Sequence, residues 1–260
     1  MKKVPIRIVE GELESAKFYI AATFNGHTED FHLDTGSTYT LIAHNDFSAK
    51  LPVISFIDRT SAANKTVRDE IISVKTFKVG NLDRSSFSAV RGAAGNSAEN
   101  RIGMSGLSDD QATFDFRENT LEFGVPIPER IATSPLCTYS QGLFGFRVET
   151  GGKELNSLWD TGAELSVIDR DFVDSNPATF HFLQKIDNGQ DALGNWVPMD
   201  LYLVDVLKIG LEDMACVLLA MDFTMLKQKI GAEVKLIVGT NLMRGRRWHF
   251  DFEAGLWAQD

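Results

Sequence analysis

Cysteine is nearly absent from this chain. Cys137 and Cys216 are the only two among 260 residues, too few for a disulfide scaffold or a paired Cys-x-x-Cys zinc site. The five histidines (His27, His32, His44, His181, His249) follow neither the His-Glu-x-x-His pattern nor a Cys/His ligand spacing, so no metal is expected. No Gly-rich phosphate loop or dinucleotide fingerprint is present either, and no cofactor is expected. Positive charge is scarce, with 26 Lys and Arg against 36 Asp and Glu and a formal net charge of −10. That balance argues against nucleic acid or an anionic membrane as partner, because both require a positive field. Apolar runs are all short of a membrane span, and the opening "MKKVPIRIVEGELES" has a basic start without the apolar core of a signal peptide. With Met1 as the native start, the protein is expected in the cytoplasm. A processed form would place it in the periplasm or outside the cell.

What is present favours strands. Hydrophobic residues make up 43% of the chain, and eighteen Phe sit among short runs of Val, Ile and Thr. The length suits one large core or two small ones. The most informative feature is an internal repeat. At an offset of 126, Phe18 falls on Phe144, Gly26 on Gly152, Asp34-Thr35-Gly36 on Asp160-Thr161-Gly162 and Ile42 on Ile168. The offset then becomes 130, where "VKTFKVG" (74–80) matches "VDVLKIG" (204–210). It becomes 136 where "IGMSGLSDDQATFDF" (102–116) matches "VGTNLMRGRRWHFDF" (238–252). Three ordered blocks with small insertions between them describe a duplicated β-rich lobe. The division expected is a first lobe over 1–126, a linker over 127–136 within the proline-bearing "GVPIPERIATSP", and a second lobe over 137–260. Asn25-Gly26 and Gly151-Gly152 are expected as the tight turns of matching hairpins.

In each copy a strand ends at Asp, which places the carboxylate at the edge of the sheet. Gly36 or Gly162 permits close backbone approach there, and the Thr35 or Thr161 hydroxyl can bond to the backbone of the facing copy. A pseudo-twofold axis would bring Asp34 and Asp160 face to face. Two carboxyls that close cannot both ionise at ordinary pH, so they share a proton and supply a base and an acid together. Such a pair can activate water against a peptide carbonyl without a covalent intermediate.

On these residues the sequence resembles the aspartic peptidases, as a single chain whose two lobes look retropepsin-like. "DTGS" and "DTGA" match that family's Asp loops, and "IVG" (237–239) matches its ψ-loop triplet in the second lobe. The resemblance implies an all-β fold of two barrel-like lobes with a peptide cleft between them. It also implies Asp34 and Asp160 as catalytic residues, supported by Thr35, Gly36, Ser37, Thr161, Gly162 and Ala163. Ile102, Gly103, Val238 and Gly239 would form the ψ loops. A polypeptide substrate is implied, and a monomer suffices because one chain carries both Asp loops. The first ψ triplet departs from the pattern, since Arg101 stands where an apolar residue is usual. No Tyr lies between Tyr39 and Tyr139, so the flap tyrosine of pepsin-like members is missing. Candidate flap tips are "TSAANKT" (60–66), with Ala63 and Asn64, and "QDALGNW" (190–196), with Gly194 and Trp196. By the same resemblance, Ala163 goes with activity extending towards neutral pH.

Ser37 and Ala163 make the two loops unequal. The Ser37 hydroxyl is expected to donate to Asp34, keeping Asp34 mainly the anion and Asp160 mainly the acid. His32, alternating with Leu33, is expected to face solvent or pack under a loop. Cys216 reads as a core residue. The run "MRGRRWH" (243–249) reads as a solvated basic turn, and Asp115 and Asp251 as structural caps of the repeat. The expected function is aspartic endopeptidase, with a catalytically silent peptide-binding module on the same fold as the rival.

Overall fold

The computed structural model describes residues 3–60, 66–93, 99–107, 111–190 and 196–260, and of Thr60, Asn188, Gln190 and Trp196 only the backbone. The expected hairpins are there. Ala16–Phe24 alternates, burying Ala16, Phe18, Ile20, Ala22 and Phe24, and it pairs antiparallel with His27–Leu33. Asn25 and Gly26 join them at φ 48° and 82°, both positive as the type I′ turn demands. Arg147–Thr150 and Lys153–Trp159 repeat the device through Gly151 and Gly152 at φ 57° and 69°.

Two large sheets then carry the same strand order. The first runs Arg7–Glu10, Ala16–Phe24, His27–Leu33, Arg101–Ile102, Leu41–Ile42, Leu82–Arg91, Thr66–Val79, Val53–Thr60. The second runs Arg147–Thr150, Lys153–Trp159, Leu236–Val238, Val167–Asp169, Glu212–Met221, Trp196–Ile209, Phe180–Gln190. The edge strand Arg7–Glu10 has no counterpart in the second sheet. Each sheet curls until its first hairpin meets its long next-to-last strand: Thr23 and Phe24 pair with Lys78 and Phe77, and Val148–Thr150 with Leu207–Ile209. This partial closure gives the barrel-like form.

A third sheet of six strands joins the two halves, in the order Val4–Pro5, Thr120–Phe123, Gln111–Asp115, Arg247–Asp251, Leu256–Gln259, Ser134–Pro135. Its central pair sets Thr113 opposite His249, positions that the offset of 136 makes equivalent, so the pseudo-twofold axis passes between them. Aromatic side chains cover this junction. Phe146 stacks on Trp257 at 4.1 Å and on Trp248 at 5.6 Å, while Trp159 meets Phe114 of the first half at 6.2 Å.

Asp115 and Asp251 do cap turns. Asp115 Oδ1 accepts the Arg117 and Glu118 N–H groups, each at 3.0 Å, and Asp251 Oδ1 accepts the Ala254 N–H at 2.8 Å. The basic run differs from its solvated reading. Arg244 reaches Glu10 at 2.7 Å, Arg246 reaches Glu212 at 2.8 Å and Arg247 reaches Asp115 at 2.6 Å. The cations stay part-exposed but tie three separate segments together, because the fold brings acidic neighbours from distant parts of the chain. Cys216 is half-buried against the core, and burial pushes its thiol up to about 12. Among the described residues no helix is long and apolar enough to cross a membrane.

Candidate functional site

The two Asp loops leave their sheets at equivalent points. The Asp34 N–H donates to the Ile102 carbonyl at 3.0 Å, and the Asp160 N–H to the Val238 carbonyl at 3.0 Å. Below each loop runs a ψ-loop strand and a short helix, Met104–Leu107 or Thr240–Met243. Met104 N–H bonds to the Ser37 carbonyl at 2.8 Å and Thr240 N–H to the Ala163 carbonyl at 2.9 Å. Gly103 and Gly239 make that crossing possible: a Cβ would lie 2.5 Å from the Tyr39 carbonyl oxygen in one and 2.6 Å from the Ala163 carbonyl oxygen in the other.

The threonines lock the halves together reciprocally. The Thr35 N–H donates to Thr161 Oγ1 and the Thr161 N–H to Thr35 Oγ1, both at 3.0 Å. Each hydroxyl also donates across the axis, Thr35 to the Trp159 carbonyl at 3.1 Å and Thr161 to the Leu33 carbonyl at 2.9 Å. Both residues are fully buried, so all four bonds form in a low-dielectric setting where an unmade bond is costly.

The carboxyls are therefore in contact. Asp34 and Asp160 face one another closely enough for the charge of one to act on the other. The position a Cβ would take at Gly162 is 2.6 Å from Asp34 Oδ1 and 3.1 Å from Asp160 Oδ1, and a Cβ at Gly36 would fall inside the Asp160 carboxyl. Asp160 Oδ1 accepts the Gly162 N–H at 2.8 Å and the Gly36 N–H at 3.1 Å. Burial and then the charge of Asp34 push Asp160 up to about 7, outweighing those two donors. Burial raises Asp34 as well, but the Arg101 guanidinium and then His32 oppose it. The two basic groups thus favour the charged form of Asp34, whose charge in turn opposes ionisation of Asp160.

The expected donor to Asp34 was wrong. The Ser37 hydroxyl donates to the Tyr39 carbonyl at 3.2 Å, because the loop turns it back along its own chain. The charged group beside Asp34 is instead Arg101, whose Nη1 is 3.9 Å from Asp34 Oδ2. His32 does not face solvent: it is 5% exposed, with Nδ1 3.3 Å from Glu99 Oε1.

Of the remaining site residues, Ile102 and Val238 are buried beneath the Asp loops, and Ala163 packs against the core. Ala63, Asn64 and Gly194 lie outside the described residues. Trp196 opens the strand Trp196–Ile209 and pairs directly with Gln190, where the edge strand Phe180–Gln190 ends.

A supporting pair in each half went unread in the sequence. The Thr40 N–H donates to Ser105 Oγ at 3.0 Å, and the Ser166 N–H to Asn241 Oδ1 at 2.8 Å. The Gly239 N–H also bonds to Ser166 Oγ at 2.9 Å. These fix the ψ loops to the Asp loops. The repeat held the signal, since Thr40 and Ser166 match at the offset of 126, and Ser105 and Asn241 at 136.

Known proteins resemble this arrangement. Residues 20–105 match the family model described as aspartyl protease, a stretch that holds the first Asp loop and the first ψ loop. No curated protein matches the chain in sequence. Among solved structures, basic 7S globulin from soybean aligns with a TM-score of 0.53 at 9% identity, over 100% of this chain and 94% of that one. Conglutin gamma, a basic 7S globulin from lupine seeds, gives 0.53 at 9% identity over 100% and 95%. The crystal structure of edgp gives 0.54 at 9% identity over 99% and 94%. Similarity at that identity speaks for the fold alone. Residues 20–105 are thus similar to the aspartyl protease family, and the whole chain shares the fold of these solved structures.

Proposed function

We propose that the protein is an aspartic endopeptidase with Asp34 and Asp160 as its catalytic residues, held in a bilobal frame of two retropepsin-like halves. The observation that carries this reading is the meeting of two part-buried carboxyls where both halves join, with the Arg101 guanidinium beside one of them. Ionised Asp34 takes a proton from a bound water, and the oxygen of that water attacks the carbonyl carbon of a peptide bond. Protonated Asp160 donates to the carbonyl oxygen as negative charge develops there. The proton taken by Asp34 then passes to the leaving nitrogen, the C–N bond breaks, and a hydroxyl of the tetrahedral diol returns its proton to the pair as the carboxylic acid product forms. Thr35, Gly36, Thr161 and Gly162 hold the carboxyls in place and need no other part in the chemistry.

A binding-only reading draws support from the solved structures above, two of which are named as 7S globulins rather than peptidases. Both Asp-Thr-Gly loops here are intact, which favours hydrolysis. Digestion of a diverse peptide pool at pH values from about 4 to 7.5, read by mass spectrometry, separates the two. Cleavage by the wild type that falls at least about a hundredfold in Asp34→Asn and in Asp160→Asn supports the peptidase. Peptide capture without cleavage in all three supports the binding module.

A further inference from the structure

The repeat allows the surroundings of the two carboxyls to be compared within one molecule. In the parallel pairing beside Asp34, Leu33 faces Ile102 and His32 faces Arg101. In the matching pairing beside Asp160, Trp159 faces Val238 and Leu158 faces Ile237. The offsets of 126 and 136 that align the Asp loops and ψ loops thus place His32 on Leu158 and Arg101 on Ile237. Two basic side chains flank one carboxyl where two aliphatic ones flank the other.

His32 is held from the outer side. Glu99 Oε1 is 3.3 Å from His32 Nδ1 and 3.9 Å from Lys17 Nζ, and Glu99 Oε2 accepts the Tyr19 hydroxyl at 2.9 Å. Lys17 also reaches Glu164 at 3.5 Å. Glu99 is therefore engaged by His32, Tyr19 and Lys17, while the Arg101 guanidinium stands 3.9 Å from Asp34. Across the axis, the Asp160 carboxyl is met by Asp34 itself and by the N–H groups of Gly36 and Gly162.

We propose that Arg101 assigns the charge within the carboxyl pair: its guanidinium keeps Asp34 the ionised member and leaves Asp160 the protonated one, so that their roles are fixed. This deepens the endopeptidase reading and rests on it. Arg101 acts here as a positioning residue through Asp34, in the place where its own repeat partner is Ile237. An opposite charge within about 4–6 Å moves a carboxyl by about 1–3 pH units, and the partial exposure of Arg101 puts the effect near the lower end of that range.

The test compares wild type, Arg101→Lys and Arg101→Met by two readouts: the pH dependence of peptide cleavage, and site-resolved carboxyl ¹³C titration of Asp34 and Asp160. In Arg101→Met the acid limb of kcat/KM and the titration of Asp34 should both move up by about one pH unit. Arg101→Lys should keep both close to wild type. An unchanged Asp34 titration in folded Arg101→Met overturns the proposal. So does an equal shift in Arg101→Lys, which would assign the effect to packing instead of charge. Should Arg101→Met fail to fold, the wild type alone decides, because ionisation of Asp160 before Asp34 is incompatible with the assignment. The carboxyl titration needs no turnover. A wild type that cleaves nothing while Asp34 still follows Arg101 would defeat the peptidase reading and leave this one standing.

Discussion

At Gly36 the absence of a side chain is a condition for the site to exist. A methyl there would occupy the space of the Asp160 carboxyl, which is held by backbone on both sides and cannot retreat. Gly36→Ala should therefore abolish cleavage and lower stability by about 2–3 kcal/mol, the range for overpacking a buried position. Urea unfolding and the peptide assay would read the two losses separately, and a stable, active Gly36→Ala would contradict the geometry. Asp160 itself has an opposite relation to stability. Its acidity in the folded protein is weakened from the ordinary value of 3.8 to about 7, so between those limits the folded chain binds more protons than the unfolded one. Stability is then full below about pH 4 and falls as pH rises towards 7. Asp160→Asn removes the group that must ionise. It should leave stability at pH 4 nearly unchanged and raise it at pH 8 by about 4 kcal/mol, so that thermal melts of variant and wild type diverge progressively as pH rises from about 4 to 7. The same ionisation costs Asp160 its acid role, and cleavage by the wild type should decline above about pH 7.

Among the elements, the paired turns that follow Gln111–Asp115 and Arg247–Asp251 offer a comparison between equivalents. Asp115 is buried, caps two N–H groups and binds Arg247, whereas Asp251 is half-buried and caps one N–H while accepting from Gln111 Nε2 at 2.8 Å. Removing one partner of a buried pair strands the other, so Asp115→Ala should cost about 3 kcal/mol. Asp251→Ala should cost about 1 kcal/mol, and denaturant titration would rank them. A reversed order would mean that the shared sheet is not held at its first-half end. These elements were legible from the sequence to an unusual degree, because a repeat reports equivalent strands without relying on propensity. Thr66–Val79 and Trp196–Ile209 keep the offset of 130 at both ends, and Gln111–Asp115 and Arg247–Asp251 keep 136. The added strand Arg7–Glu10 escaped because "RIVE" is short, mostly exposed and without a partner in the other copy. The Asp34–Arg101 contact escaped for a different reason. It depends on a parallel pairing between segments nearly seventy residues apart, and side-chain direction across such a pairing is a tertiary fact. Reading Ser37 as the donor to Asp34 failed likewise, since adjacency in sequence does not say which way a hydroxyl turns.

For the molecule as a whole, the pseudo-twofold axis passes through two self-equivalent contacts, Thr35 with Thr161 at the carboxyl end and Thr113 with His249 in the shared sheet. Neither half contains either contact alone. Separated at the proposed linker, residues 1–126 would lose the partner of the strand Gln111–Asp115. Residues 127–260 would lose the cover that Phe114 gives Trp159. All four Trp residues lie in that second fragment, and three of them are buried beside the junction, so their fluorescence reports its state. The fragment 127–260 alone should emit at longer wavelength than the intact chain. Mixing it with 1–126 should restore the shorter wavelength together with native near-ultraviolet circular dichroism, since the shared sheet and the threonine lattice need no covalent link to reform. If each fragment instead unfolds cooperatively by itself with native-like Trp emission, the halves are self-sufficient and the junction only docks them. The carboxyl pair would then depend on an interface that could open, and cleavage would fall with dilution of a mixed pair of fragments. If the fragments are interdependent, as the two axial contacts imply, folding and assembly of the site are a single event, and no folded state of this chain holds one Asp loop without the other.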